Sequence, residues 1–196
     1  MRKLKNKGFR IICICLTTMI FSSCNIGGLD LQQSAQYNYS PVTLKLNMTA
    51  YKFIESRKNN DMSMLYEAIN RVGYRDSFEV QNRTYIVMND VGFTSYISNT
   101  RYAGIKYMSN ATIIKLLNQY IVLGKYYSLS LTTNATQLQT DDPGTKISLS
   151  LFSTTIDVAN KYQVLANFVG STKVVSVVTC NLQPTNGIIH VIESYL

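Results

Sequence analysis

The second half of the chain carries its strongest folding constraint. KISLSLFS (146–153) alternates polar and apolar residues, as a strand with one wet face does. Further apolar runs predict strands at 162–168, 173–181 and 187–194. Turn chemistry punctuates them. TDDPGT (140–145) places Pro143, with its fixed φ, before the permissive Gly144. Breaks fall at Gly170-Ser171 and from Pro184 to Gly187.

The first half reads differently. Asn47 is the expected cap of a short helix, MTAYKFIESRK, with Tyr51 and Ile54 on one face. Asp61 is the expected cap of a second helix. Its residues Met64, Leu65, Ala68, Ile69 and Val72 follow helical spacing, and Gly73 supplies a left-handed stop. RTYIVM (83–88) reads as a buried strand, followed by a short helix capped by Asn89 or Asp90. Residues 110–118 predict another helix, and YYSLSL (126–131) a strand after Gly124. Helices first and strands afterwards point to an α+β fold.

The formal net charge of +8 suggests nucleic acid, but its distribution excludes that partner. Arg2, Lys3, Lys5, Lys7 and Arg10 precede residue 24 with no acidic residue among them, and no basic stripe follows. MRKLKNKGFR and IICICLTTMIF have the layout of a secretory signal peptide, with an apolar run too short to span a bilayer. The ending FSSC resembles a bacterial lipobox, in which cleavage precedes a cysteine that then carries lipid. The alternative is ordinary cleavage nearby, with Cys24 a plain thiol. The expected organisation is a signal peptide over 1–23, a lipidated and flexible tether over 24–43, and one domain over 44–196. Cys13 and Cys15 leave with the signal, so Cys180 has no internal disulfide partner. Within VVSVVTC it reads as a buried small residue.

The sequence shows no nucleophile elbow, zinc-protease helix, P-loop or dinucleotide fingerprint. No catalytic residue, cofactor or metal site is assigned. His190 is the only histidine, and a Ser-His-Asp triad would have to use it. It lies in the apolar run GIIHVIESYL, on a face with Ile188 and Ile192, where a structural hydrogen-bonding role is the ordinary one. Asp141 and Asp142 read as a solvated turn, and five Asn-x-Ser/Thr sequons reflect Asn-rich composition. The chain has 14 tyrosines and no tryptophan. Tyr96, Tyr102, Tyr107, Tyr120, Tyr126 and Tyr127 form either an exposed contact cluster or part of the β core.

Several segments together resemble the fasciclin (FAS1) domain. TNGIIHVIESYL is similar to that family's C-terminal signature, through Asn186, Gly187, Ile189, His190 and Ile192, with Glu193 where aspartate is usual. RTYIVMNDVGF resembles the first signature through Thr84 and Phe93, with Met88 in place of proline. LLNQYIVLGKYYS resembles the middle one through Leu116, Ile121, Val122 and Gly124, but Gln119 and Tyr120 replace its Tyr-His pair. Adhesion attributed to that pair does not carry over. The resemblance spans about residues 46–196. It implies a twisted β-wedge with several small helices, and an adhesion or binding role without catalysis. It also makes His190 a fold-signature residue, bonding across the core near the Asn-Gly turn.

The expected protein is a membrane-anchored lipoprotein of the bacterial cell envelope, non-catalytic, that binds an extracellular or envelope protein or a glycan. The alternative is a structural or accessory subunit of an envelope or glycan-uptake complex. Asn25 stands where an inner-membrane retention signal would have aspartate, which favours the outer membrane.

Overall fold

The computed structural model describes residues 45–153 and 162–196. The signal segment, Cys24 and the tether up to residue 43 lie outside the described residues.

Four α-helices are present among these residues: α1 (Ala50–Ser56), α2 (Ser63–Arg71), α3 (Asp90–Thr100) and α4 (Asn110–Gln119). Thr49, not Asn47, caps α1: its hydroxyl accepts the Lys52 N–H. The start is fixed from afar as well, because the Asn186 side chain accepts the Ala50 N–H at 2.8 Å. Asp61 does not cap α2 either. The cap position is Met62, whose side chain is buried in the core and makes no capping bond. The carboxylate of Asp90, at the start of α3, takes over: it accepts the Ser63 N–H at 3.2 Å, the Met64 N–H at 2.9 Å and the Ser63 hydroxyl at 2.7 Å. Asp61 instead forms a bidentate pair with Arg57, both bonds at 2.7 Å. Gly73 ends α2 at φ +67°, as its position predicts. Asn89 caps α3 through the Gly92 N–H, and Ser109 caps α4 through the Thr112 N–H.

Seven strands form one mixed sheet: β1 (Arg83–Met88), β2 (Ile121–Leu123), β3 (Thr136–Gln139), β4 (Lys146–Ser153), β5 (Tyr162–Phe168), β6 (Val175–Leu182) and β7 (Gly187–Ile192). Their spatial order is β2-β1-β7-β6-β5-β4-β3. Strands β1 and β7 run parallel, from Arg83 beside Gly187 to Met88 beside Ile192. Both are covered on two faces, so Thr84–Met88 and all of β7 are buried. The two ends of the sheet approach each other. Val122 bridges Thr140, and the Asp141 N–H donates to the Ile121 carbonyl at 2.8 Å. The helices pack Ile54, Ile69, Phe93 and Ile113 into one apolar core with β1, β2 and β7.

Three strand expectations need correction. YYSLSL is not a strand: Gly124 turns the chain out of the sheet at φ +97°, and Ser128–Ser130 is a 3-10 turn. TQLQ, polar apart from the buried Leu138, is the strand β3. In β4 the wet face is incomplete, since Ser148 is buried along with Ile147 and Leu149. Cys180 is exposed rather than buried. Strand β6 shifts register against β7 between Val177 and Thr179 and again before Leu182, which turns Val178 and Cys180 outward. The tyrosines do not gather on the surface. Tyr107 is 60% exposed, whereas Tyr120 is buried with its hydroxyl accepting the Leu196 N–H, and Tyr96, Tyr102, Tyr126 and Tyr127 are half-buried.

Candidate functional site

Thr84, Phe93, Asn186, Gly187 and His190 are buried, Gly124 is half-buried, and three of these fold-signature residues converge on one loop. After β2 the chain leaves the sheet at Gly124, so its backbone loses ladder partners. Unpaired buried backbone groups cost about as much as lost hydrogen bonds. Side chains from three strands supply the missing partners. Thr84 of β1 donates its hydroxyl to the Gly124 carbonyl at 2.8 Å and accepts the Tyr126 N–H at 2.9 Å. His190 of β7 meets the Tyr126 carbonyl through Nε2 at 2.9 Å. Asn181 of β6 accepts the Ser128 N–H at 2.8 Å and donates to the Ser128 hydroxyl at 2.6 Å. Asn181 itself sits at φ +62°, and its N–H points at His190 Nδ1 at 3.4 Å.

This geometry fixes the state of His190. A carbonyl only accepts, so Nε2 carries the hydrogen. A backbone N–H only donates, so Nδ1 is bare. The ring is 0% exposed. Burial drives its pKa down to about 4, and the bond to the Tyr126 carbonyl opposes this only in part. With both nitrogens engaged and no path to solvent, His190 is a neutral crosslink and cannot act as a base on a substrate.

Asn186 and Gly187 lie at the start of β7. The Asn186 amide donates to the Phe78 carbonyl at 3.0 Å, the Val80 carbonyl at 3.2 Å and the Tyr85 hydroxyl at 2.9 Å. With its bond to the Ala50 N–H, it joins α1, the turn before β1 and β1 itself. Gly187 is needed for close approach rather than for φ: a Cβ there would sit 2.2 Å from the Arg83 carbonyl oxygen. Phe93 is fully buried in the core, apart from this loop. Asn181 was not singled out by sequence; a polar residue interrupting the run VVTCNL is the only signal it left.

What the network holds is a surface. The loop presents Lys125, Tyr127 and Leu129 outward, and Leu129 is 70% exposed. Lys125 and Tyr127 line a shallow open cleft of about 280 Å³, with Lys45, Asn47, Gln183 and Thr185 on the facing rim. Among the described residues no carboxylate lines it. Neither lysine belongs to an ion pair among the described residues, whereas Arg57, Arg75 and Arg83 each do. A second open cleft of about 290 Å³, beside β6, has mixed charge from Lys173 and Glu193. Among the described residues no cluster of His, Cys, Asp or Glu could hold a metal ion.

The sequence model of the fasciclin domain matches residues 60–196. The chain belongs to the fasciclin domain family. Among solved structures it is similar to a FAS1 domain pair from the insect cell adhesion molecule fasciclin I, with 13% identity and a TM-score of 0.48 over 76% of this chain and 45% of that one. The chain thus spans under half the length of that pair. No curated protein matches it. Among the described residues the fasciclin domain here has a seven-stranded mixed sheet, and Thr84, Gly124, Asn186, Gly187 and His190 take part in the bonds and close packing that hold it.

Proposed function

We propose that this fasciclin protein is a lipid-anchored, non-catalytic binding module of the bacterial cell envelope, and that the cleft between Lys125 and Lys45 takes an acidic glycan. One observation carries the reading. Lys45 and Lys125, which have no acidic partner among the described residues, line a cleft with Tyr127, and the loop that carries Lys125 and Tyr127 is held by the buried Thr84 and His190 and the half-buried Asn181. A rigid loop loses little entropy on binding, and a cleft of one charge sign attracts the opposite sign. Tyrosine adds an apolar plate with a polar tip, suited to a sugar ring. The family's association with adhesion supports a binding role, while the replaced Tyr-His pair, with Gln119 and Tyr120 in its place, directs attention to this surface instead.

Anchoring rests on FSSC and the short apolar run before it. Among the described residues no helix is long and apolar enough to cross a membrane. One acyl chain binds a bilayer marginally and two or more bind firmly, at about 0.8 kcal/mol per buried CH₂. Asn25 after the cysteine favours the outer membrane.

The test for the cleft is binding of residues 44–196 to an array of neutral and acidic glycans. Acidic glycans bind in a salt-dependent way, and Lys45→Glu with Lys125→Glu abolishes this without a change in unfolding temperature. Binding that survives the double substitution refutes the site. Mass spectrometry of the mature protein tests the anchor: an unmodified N-terminus at any position other than Cys24 refutes it.

A further inference from the structure

Asn186-Gly187 is the single Asn-Gly pair in the sequence. We infer that it is a self-modification site that the native fold keeps closed, and that any chain which remains unfolded is converted there into a form that cannot refold. The reaction is intramolecular. The Gly187 backbone nitrogen attacks the Asn186 side-chain carbonyl carbon, Cγ. A new C–N bond forms, the Cγ–Nδ2 bond breaks, and ammonia leaves with the proton lost by the Gly187 N–H. The resulting succinimide is opened by water at either carbonyl, to give an aspartyl or an isoaspartyl residue. The only co-reactant is water. Asn-Gly is the pair most open to this chemistry, because glycine has no side chain to hinder the attacking nitrogen and its backbone rotates freely.

The fold blocks each requirement. Asn186 is 0% exposed, so water does not reach it. Its side-chain oxygen is held by the Ala50 N–H at 2.8 Å. Its Nδ2 donates to Phe78, Val80 and Tyr85, all within 3.2 Å, so the leaving group is pinned. The Gly187 N–H is directed at the Pro184 carbonyl at 3.3 Å, away from Cγ. The Gly187 backbone cannot swing, since it lies against Arg83 in the parallel ladder, with no room even for a methyl group.

The product is incompatible with the same pocket. An aspartyl carboxylate would set an acceptor oxygen against the Phe78 and Val80 carbonyls, both acceptors, in a water-free site. An isoaspartyl residue would also lengthen the backbone by one carbon immediately before the Gly187–Arg83 pairing. Unfolding is reversible while Asn186 is an amide and irreversible afterwards.

The experiment uses the full chain, incubated at mildly alkaline pH and physiological temperature, native in one arm and unfolded in urea in the other. Peptide mapping by mass spectrometry follows conversion at Asn186, and enzymatic isoaspartate labelling identifies the branched product. Conversion through rare unfolding should be slower in the native arm by roughly a thousand-fold or more. Urea is then removed, and folded and unfolded chains are separated. Unmodified chains are expected in the folded pool and converted chains outside it. Native and unfolded rates within about ten-fold of each other would overturn the inference, as would converted chains that refold with unchanged yield and unfolding temperature.

Discussion

His190 makes the stability of this domain depend on pH in a way that can be isolated. An unperturbed histidine titrates near 6.5, and this one is held down to about 4 by burial. Between those values an unfolded chain carries a proton at this position and the native chain does not. Stability therefore rises with pH across that window. The contribution is complete above pH 6.5, is lost progressively as pH falls to about 4, and changes no further below it. One proton taken up by the unfolded chain alone costs the fold about 1.4 kcal/mol for every pH unit crossed, so the loss over the window is about 3 kcal/mol. Protonation at Nδ1 would also aim a hydrogen at the Asn181 N–H, setting donor against donor. The perturbation is His190→Gln, which removes the titration and keeps an amide able to donate and accept. At neutral pH the variant should be less stable by about 1–3 kcal/mol, for imperfect replacement of two bonds and ring packing. The assay is urea unfolding of both proteins at a series of pH values. Half-buried Asp141, whose pKa burial raises and the Arg83 charge lowers, contributes equally to both and cancels in the difference. The stability difference between wild type and variant should shift by about 3 kcal/mol in the variant's favour from neutral pH down to about pH 4, which removes or reverses the gap seen at neutral pH. A gap constant across that range would show that His190 is not held neutral, and would refute the crosslink.

Four other substitutions test the architecture. Thr84→Val removes the hydroxyl between the Gly124 carbonyl and the Tyr126 N–H, and should cost about 1–3 kcal/mol; hydrogen exchange at the Tyr126 amide should accelerate more than that of the β4 amides. Asp90→Ala leaves α2 without its borrowed cap and should lower stability by about 1–2 kcal/mol in thermal unfolding, whereas Asp61→Ala, which loses only a half-exposed ion pair, should cost under about 1 kcal/mol. Gly187→Ala forces a methyl group against the Arg83 carbonyl oxygen and should destabilise by about 3 kcal/mol or more, measured as a lowered urea midpoint.

The elements legible in the sequence were those whose partners are repetitive. Strands β1, β4, β5 and β7 are β-branched or alternating runs, and backbone ladders reward such runs wherever they are placed. Helix α2 showed its spacing and its glycine stop for the same reason. The misreadings occurred where a single distant side chain decides. YYSLSL has strand-like alternation, but Thr84, Asn181 and His190, each more than 40 residues away, hold it outside the sheet. Asp61 is well placed to cap α2 by local rules, yet Asp90 reaches the same N–H groups from another helix and leaves Asp61 to Arg57. Cys180 follows the apolar run that a buried residue would, and the register shifts of β6 that expose it have no local mark. The resemblance to the family marked Thr84, Gly124, Asn186, Gly187 and His190 as fold residues, but not what each one bonds. The cleft was not foreseen, because Lys45, Lys125 and Gln183 come together only through the fold.

The signature residues share one physical task, and it bears on where function can reside. Thr84, His190 and Asn186 are buried polar groups, and each takes up backbone donors or acceptors of a segment that has left a helix or a strand. Such bonds stabilise modestly, but an unmet partner in a dry site costs more than the bond is worth, so these positions tolerate little change. Residues so constrained cannot also be shaped to a ligand. Lys125, Tyr127 and Leu129 are under the opposite regime. Their backbone is fixed by the network while their side chains face solvent, so they can be exchanged without disturbing the core. A binding surface set on a pinned loop can thus change its chemistry while the fold beneath stays the same. On the proposal of an acidic-glycan cleft, the exposed members of GKYYSL and the rim at Lys45 and Asn47 would set what is bound, rather than the buried residues Thr84, His190 and Asn186.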